Sequence, residues 1–453
     1  MVKVPAYFEI HKATEADVAS KLSKTGETHI IDYRDWSKTQ RKSPVYKIPI
    51  EFCLFRPDNG RIMTEVQTYE ASKGPLENRH DKKLQAIISN FLSNKDKEKN
   101  SELKANLKKD GQLEPAIITA DGLLINGNRR KWALEALYKE EPSEDYKYLK
   151  VVVLPGTDNS SERPTVRDIA LLENRLQFQK MGKSEYTAMD KALKLLQNEK
   201  QGIPLEEMLR DDPKFSDKND KDFRKAVSKF RVDQLEPTEL MSQWLVSNKV
   251  NGDFKRVEKK WTAFQELNTK IISKLDDPKI LATYKIKEDD VGLIKNAAFN
   301  ILKMRDHSEI EVRTHKLMND IFKWVDVDKK EFLKIGKIED THENIEDPDE
   351  RFKKWNDEHN DNILNSLKKL RSLAEQKKDQ EDPISKMQLI LKHLTDEDLG
   401  YEQVKIISPK DWSEANDLAK AIDNESTKLR KMFYYIEKEQ KENLQNLLKK
   451  HNN

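Results

Sequence analysis

Gly111-Gln112-Leu113-Glu114-Pro115-Ala116-Ile117-Ile118-Thr119-Ala120-Asp121-Gly122-Leu123-Leu124-Ile125-Asn126-Gly127-Asn128-Arg129-Arg130-Lys131-Trp132-Ala133-Leu134 reads as a hairpin feeding a helix. Residues 116–119 form a short apolar strand and 123–125 a second, joined by Asp121-Gly122, the favoured pair for a tight hairpin. A glycine-containing loop at 126–130 follows. Residues 131–138 then place Trp132, Ala133, Ala136 and Leu137 on one helical side.

Outward from this segment, strand and helix signals alternate. Residues 45–55 are β-rich and close in the turn chemistry of Arg56-Pro57-Asp58-Asn59-Gly60-Arg61. Residues 81–109 have Leu84, Ile87, Ile88, Phe91 and Leu92 at helical spacing, with a polar break at 94–101 and Gly111 as a stop. Residues 150–154 form another strand. The expected class is α+β, with one α/β domain at 45–160 and a large all-α region after it. Residues 1–44 show no clean period and read as an N-terminal extension. Helical patterns follow at 165–177, from a Ser184 cap to about 200, and at 205–210, 221–235, 254–275 and 290–326. They divide into a region at 161–260 and another at 261–336. Residues 337–384 read as an acidic linker or exposed helix, because 337–361 hold ten acids against four bases. Residues 385–453 form a C-terminal helical region. No internal repeat or low-complexity tract interrupts this order.

Composition excludes several classes. The 453 residues carry 83 Lys plus Arg against 81 Asp plus Glu, a formal +2. Nucleic-acid binding must therefore rest on local patches rather than overall charge. The single cysteine, Cys53, rules out an internal disulfide and a cysteine-rich zinc site, and reads as a buried core thiol. The first 30 residues lack the apolar core of a signal peptide, and no run reaches the 18 or so apolar residues of a membrane span. A reducing, cytoplasmic setting with no membrane partner is expected.

The loop at 126–130 has its own chemistry. A helix start offers unpaired N–H groups and partial positive charge to an anion. Gly127 allows close backbone approach, and guanidinium forks match phosphate oxygens. A phosphate site at 127–130 follows, although a tight turn bearing two surface arginines is the plainer reading of the same residues.

Gln-Leu-Glu-Pro at 112–115, the Asp-Gly turn and Gly-x-Arg-Arg at 127–130 resemble the N-terminal domain of the ParB/sulfiredoxin superfamily. Ile48-Pro49-Ile50 with Asn59-Gly60-Arg61 is similar to its first strand and the turn after it. Ile169-Ala170-Leu171-Leu172-Glu173-Asn174 is similar to its Ala-Leu-x-Glu-Asn helix. The resemblance spans about residues 45–177 and is closest to the partition-protein branch. It implies a bound nucleoside triphosphate, CTP or ATP, with Mg²⁺. Gly127, Asn128, Arg129 and Arg130 would hold phosphate, with Arg61 and Gln112 at the rim. Glu173 and Asn174 would sit at the metal, and Glu173 would be the catalytic residue of any slow NTP hydrolysis. Asn128 stands where that branch has Glu and where sulfiredoxins have their cysteine, so sulfiredoxin chemistry is not expected. The same superfamily also implies an alternative, a metal-dependent nuclease or small-molecule kinase.

The resemblance further implies a helix-turn-helix, for which 205–210 and 222–232 are the candidates. Arg224, Lys225, Lys229 and Arg231 would face DNA. Residues 214–260 hold twelve bases and eight acids, a modest local surplus for phosphate contacts. The connecting loop is longer than such a motif needs, and a charged bundle helix fits these residues equally well. Met181-Gly182-Lys183-Ser184 lacks the earlier glycine of a P-loop, and no His-Glu-x-x-His occurs. In the last helix Leu429, Phe433, Ile436, Leu444 and Leu447 approach heptad spacing, which suits either a homodimer or an intramolecular bundle.

Overall fold

The computed structural model describes residues 12–32, 40–157, 163–178, 186–210, 212–304, 314–381, 408 and 411–451. The chain divides into two units, Met1–Ala374 and Glu375–Asn453. The fold is α+β, with one five-stranded mixed sheet in the first unit.

Helix α1 (Lys12–Lys21) leads into strand β1 (Ser23–Asp32), which pairs antiparallel with β2 (Gln40–Pro49). Residues expected to form an extension therefore supply a helix and the edge strand. Only one face of β1 is covered: Ile31 is buried while Ile30 is 62% exposed, so its apolar signal is thin. The β-rich run ends at Pro49, and Ile50–Phe52 turns as a 3-10 helix. Proline has no N–H with which to extend a ladder. Beyond it, Leu54 makes one isolated parallel bridge to Leu123.

Helices α2 (Met63–Lys73), α3 (Lys82–Lys95) and α4 (Lys97–Asp110) follow. The expected break at 94–101 shrinks to Asp96, whose side chain accepts from the Lys99 N–H at 3.3 Å and caps α4. The hairpin is β3 (Ala116–Ile118) and β4 (Leu124–Asn126). Helix α5 (Asn128–Glu140) returns the chain to β5 (Tyr148–Val153), which lies parallel to β3 and antiparallel to β2. The strand order is β1-β2-β5-β3-β4.

Both faces of β5, β3 and β4 are covered, as runs such as Ala116-Ile117-Ile118 require. Ala116, Ile118, Leu124 and Val151 pack with Leu84, Ile88 and Leu92 of α3 and Ala133, Leu134 and Leu137 of α5. Cys53 is in this core, and burial pushes its thiol up to about 12. Ile117, Leu123, Ile125 and Val152 face the other way, onto Ile169 and Leu172 of α6 (Val166–Phe178).

The rest of this unit is helical. Helix α7 (Ala188–Lys200) is capped by Thr187, whose hydroxyl accepts from the Asp190 N–H at 3.1 Å; Ser184 lies outside the described residues. Helices α8 (Leu205–Arg210), α9 (Pro213–Ser216) and α10 (Asp220–Phe230) pack with α6 and α7 around Leu171, Leu195, Leu209, Phe223 and Val227. A π-turn at Arg231–Leu235 leads to α11 (Glu236–Ser247). Helices α12 (Trp261–Lys270), α13 (Pro278–Thr283), α14 (Glu288–Lys303), α15 (Thr314–Asn319), α16 (Ile321–Gly336) and, up to Ala374, α17 (Pro348–Glu381) complete it. The single helical segment expected at 290–326 is thus divided among α14, α15 and α16, and 305–313 lie outside the described residues.

The acidic stretch, expected as a linker or an exposed helix, is helical from Pro348 and buries one stripe. Trp355 of α17 is 1% exposed and joins the large core of α11–α17 with Trp244, Phe264 and Phe332. Arg351, Trp355 and Asn356 recur at helical spacing and are buried, while the acids at 349, 350, 357 and 358 occupy the exposed side of the same turns.

In the second unit α18 (Trp412–His451) carries Leu418, Ile422, Leu429, Met432, Phe433 and Ile436 exposed; the side chains of Leu444 and Leu447 lie outside the described residues. No described helix is long and apolar enough to cross a membrane.

Candidate functional site

The site grows from the loop between β4 and α5. Gly127 caps α5 with φ at 99°, a left-handed conformation that side-chain-bearing residues avoid. A Cβ on Gly127 would also sit 2.5 Å from the Cβ of Ala116 on β3. The helix consequently starts at Asn128, earlier than its apolar pattern indicates. Asn128, Arg129 and Arg130 occupy its first turn, where backbone N–H groups have no intrahelical acceptor.

The two arginines diverge. Arg130 donates to the backbone carbonyl of Glu114 and ties α5 to the Gln-Leu-Glu-Pro turn. Burial lowers its pKa, and the Glu114 carboxylate opposes that. Arg129 turns toward α4. Its Nε donates to Asn100 Oδ1 at 3.0 Å, while its Nη2 is buried with no hydrogen-bond partner among the described residues. Burial lowers the Arg129 pKa, and the like charge of Arg61 adds to the effect. The Arg61 guanidinium stands 5.6 Å from the centre of the Tyr186 ring, and burial lowers its pKa too.

These groups line one cleft of about 630 Å³. Arg61, Gln112, Gly127, Asn128, Arg129 and Arg130 all contribute to it, with Leu103 and Leu107 of α4 and the carboxylates Glu102, Asp110 and Glu114. Six of the residues singled out from the sequence therefore meet. Their roles differ from expectation. Both ends of the Gln112 amide are engaged by Lys150: Nε2 donates to its carbonyl at 2.8 Å, and Oε1 accepts from its N–H at 2.7 Å. Gln112 thus fastens the end of α4 to β5 rather than presenting its amide at a rim. Asn128 is 7% exposed and lines the same cleft, and its Oδ1 is buried with no hydrogen-bond partner among the described residues.

Glu173 and Asn174 do not line the cleft. Glu173 is 3% exposed and engaged on all sides. It accepts from the Arg56 guanidinium, from the Tyr186 hydroxyl at 3.2 Å and from the Gly60 N–H at 3.5 Å, and Lys194 Nζ is 3.5 Å away. Arg56 also pairs with Asp58 at 2.7 Å, and Asp58 with Lys194 at 2.8 Å. The Glu173 carboxylate is thus committed to these donors and stands apart from the cleft at Gly127. Asn174 is buried beside it, and its Nδ2 has no hydrogen-bond partner among the described residues. Among the described residues no group of three or more His, Cys, Asp or Glu side chains is arranged to hold a metal.

Tyr186 was not foreseen. It lines the cleft, faces the Arg61 guanidinium, and donates a hydrogen bond from its hydroxyl to Glu173. Burial, then the Glu173 charge, raises its pKa well above 10. Its ring lies where a Cβ on Gly60 would fall, so only glycine fits at that position. Nor do Arg56, Asp58 and Lys194 announce themselves. Charged residues in a Pro-Asn-Gly turn are ordinarily solvated, and Arg56 meets its partner 117 residues away.

On α10, Arg224, Lys225 and Lys229 are exposed on the side opposite Phe223 and Val227. Arg231 departs from that group: it sits in the π-turn and pairs with Glu199 of α7. The connection from α8 to α10 contains the short helix α9.

Comparison of the chain with models of protein families, with curated proteins and with solved structures finds no match.

Proposed function

We propose that the cleft binds a nucleoside triphosphate, CTP or ATP, through its phosphates, and that the chain acts as a nucleotide-dependent, DNA-associated switch. The observation that carries this reading is that Arg61 and Arg129 line one cleft, with Arg129 Nη2 lacking an acceptor among the described residues. Two guanidinium groups that repel each other in a partly desolvated site are relieved by an anion between them. The free N–H groups of the first turn of α5 add to the attraction. A nucleotide also brings hydroxyl and amino donors, and Asn128 Oδ1 is an acceptor of the right kind. The volume lies within the range of small-molecule sites.

The DNA arm rests on Arg224, Lys225 and Lys229, and pairing of two chains through α18 belongs to the same reading. The enzyme alternative is weaker, because Glu173 is held by Arg56. No metal step is part of the proposal; Mg²⁺ enters it as a condition to vary.

The test is a thermal-shift series with CTP, ATP, GTP and UTP, each with and without Mg²⁺. A ligand at 100 times its Kd stabilises by about 2.7 kcal/mol. One nucleotide should raise Tm in the wild type and leave Arg129→Ala unmoved. A flat response to all four sinks the reading.

A further inference from the structure

A second cleft, of about 410 Å³, opens among the helices of the first unit, far along the chain from the loop at 127–130. Its walls are the rings of Trp244 and Phe352, whose centres are 5.8 Å apart at 45°. Arg256, Lys260, Lys303 and Lys353 also line it.

The cations here differ in their partners. Arg256 spans Asp253 at 3.0 Å and Asp349 at 2.7 Å. Lys303 pairs with Asp340 at 2.8 Å, and buried Arg351 lies 3.9 Å from that same carboxylate. Lys260 donates to the Leu302 carbonyl and faces the Trp244 ring at 5.8 Å. Among the described residues no carboxylate is within ion-pairing distance of Lys260. Arg256, Lys303 and Arg351 are thus each within reach of a carboxylate, whereas Lys260, among the described residues, is within reach of none. Burial, and then the like charge of Arg256, draws the Lys260 pKa down to about 8, which still leaves the amine protonated at pH 7. A partly buried charge without a counter-charge is costly to keep. A charged group with a perturbed pKa in a cleft is a candidate ligand contact.

We propose that this cleft binds a small organic anion with an aromatic body, its anionic end at Lys260 and its ring against Phe352, which rests on the buried Trp244. The anionic end is a phosphate ester or a carboxylate, and the two are separable by experiment.

The test is competitive labelling of the full chain with an amine-acylating reagent at pH 8, read at Lys260 by peptide mass spectrometry. Phenyl phosphate, benzoate and inorganic phosphate serve as protectors at matched ionic strength. Phenyl phosphate or benzoate should slow labelling of Lys260 at least threefold, and whichever protects better names the anionic group. Protection should persist in Arg129→Ala, which separates this site from the proposed nucleotide cleft. It should weaken in Lys353→Glu, an exposed rim change that leaves the core intact. Unaltered labelling with both aromatic anions overturns the proposal. So does equal protection by inorganic phosphate, or protection that vanishes in Arg129→Ala.

Discussion

At the scale of single residues, the two adjacent arginines are not equivalent. Arg130 completes a turn, whereas Arg129 keeps a nitrogen for a partner. The buried carboxylate Glu173 is a structural keystone in the same sense as Arg130. Glu173→Ala would leave two buried cations, Arg56 and Lys194, sharing the single carboxylate of Asp58, a loss of about 3–5 kcal/mol. Urea unfolding of the variant, compared with wild type at pH 7, measures it. Lys260 makes a different prediction. Its pKa is about 8 in the folded protein against 10.5 for an ordinary lysine. Between those values the unfolded chain holds the extra proton, so stability contributed at this site rises as pH climbs from about 8 toward 10.5. Below about 8 both states are protonated and the penalty is complete. The stability difference between wild type and Lys260→Met should therefore move in favour of wild type between pH 7.5 and 10. A difference independent of pH would show that Lys260 titrates normally.

Elements were more legible than the side chains that join them. The hairpin at 116–126 and the helices on either side are written in local patterns: an Asp-Gly turn, apolar triplets, helical spacing. The gathering of Arg61, Gly127 and Arg129 around one cleft was also recoverable, because each lies in a short motif. The hydrogen-bond roles were not. Gln112 reaches Lys150 across the sheet, and Glu173 reaches Arg56 from a distant helix, and no local pattern encodes either meeting. The acidic stretch misleads for a related reason. Net charge over a window hides a buried stripe at Arg351, Trp355 and Asn356. Trp355→Ala should accordingly cost about 3–5 kcal/mol, as for a core tryptophan, against near zero for a solvated linker. Thermal unfolding decides between the two. Gly127→Ala forces a left-handed alanine, at about 1–2 kcal/mol, before its contact with Ala116 is counted. Its Tm should fall even in the absence of any ligand.

For the molecule as a whole, α18 carries Leu418, Ile422, Leu429, Met432 and Ile436 on a heptad-like row, exposed. If this row pairs two chains, sedimentation equilibrium should give a dimer, and Leu429→Asp with Ile436→Asp a monomer. A wild-type monomer at tens of micromolar would remove α18 from the proposal. Within the first unit, the sheet and the helices that follow it share a polar seam. Arg56 and Asp58 join Glu173 and Lys194. Thr64 donates to Asp190 at 2.6 Å through its hydroxyl, and Lys95 lies 2.8 Å from the same carboxylate. Every charge in that seam is matched by one from the far side of any cut made near residue 160. Neither piece, expressed alone, would inherit a closed surface. The cleft cannot be transplanted as a small portable module, and heating should melt sheet and neighbouring helices in a single event.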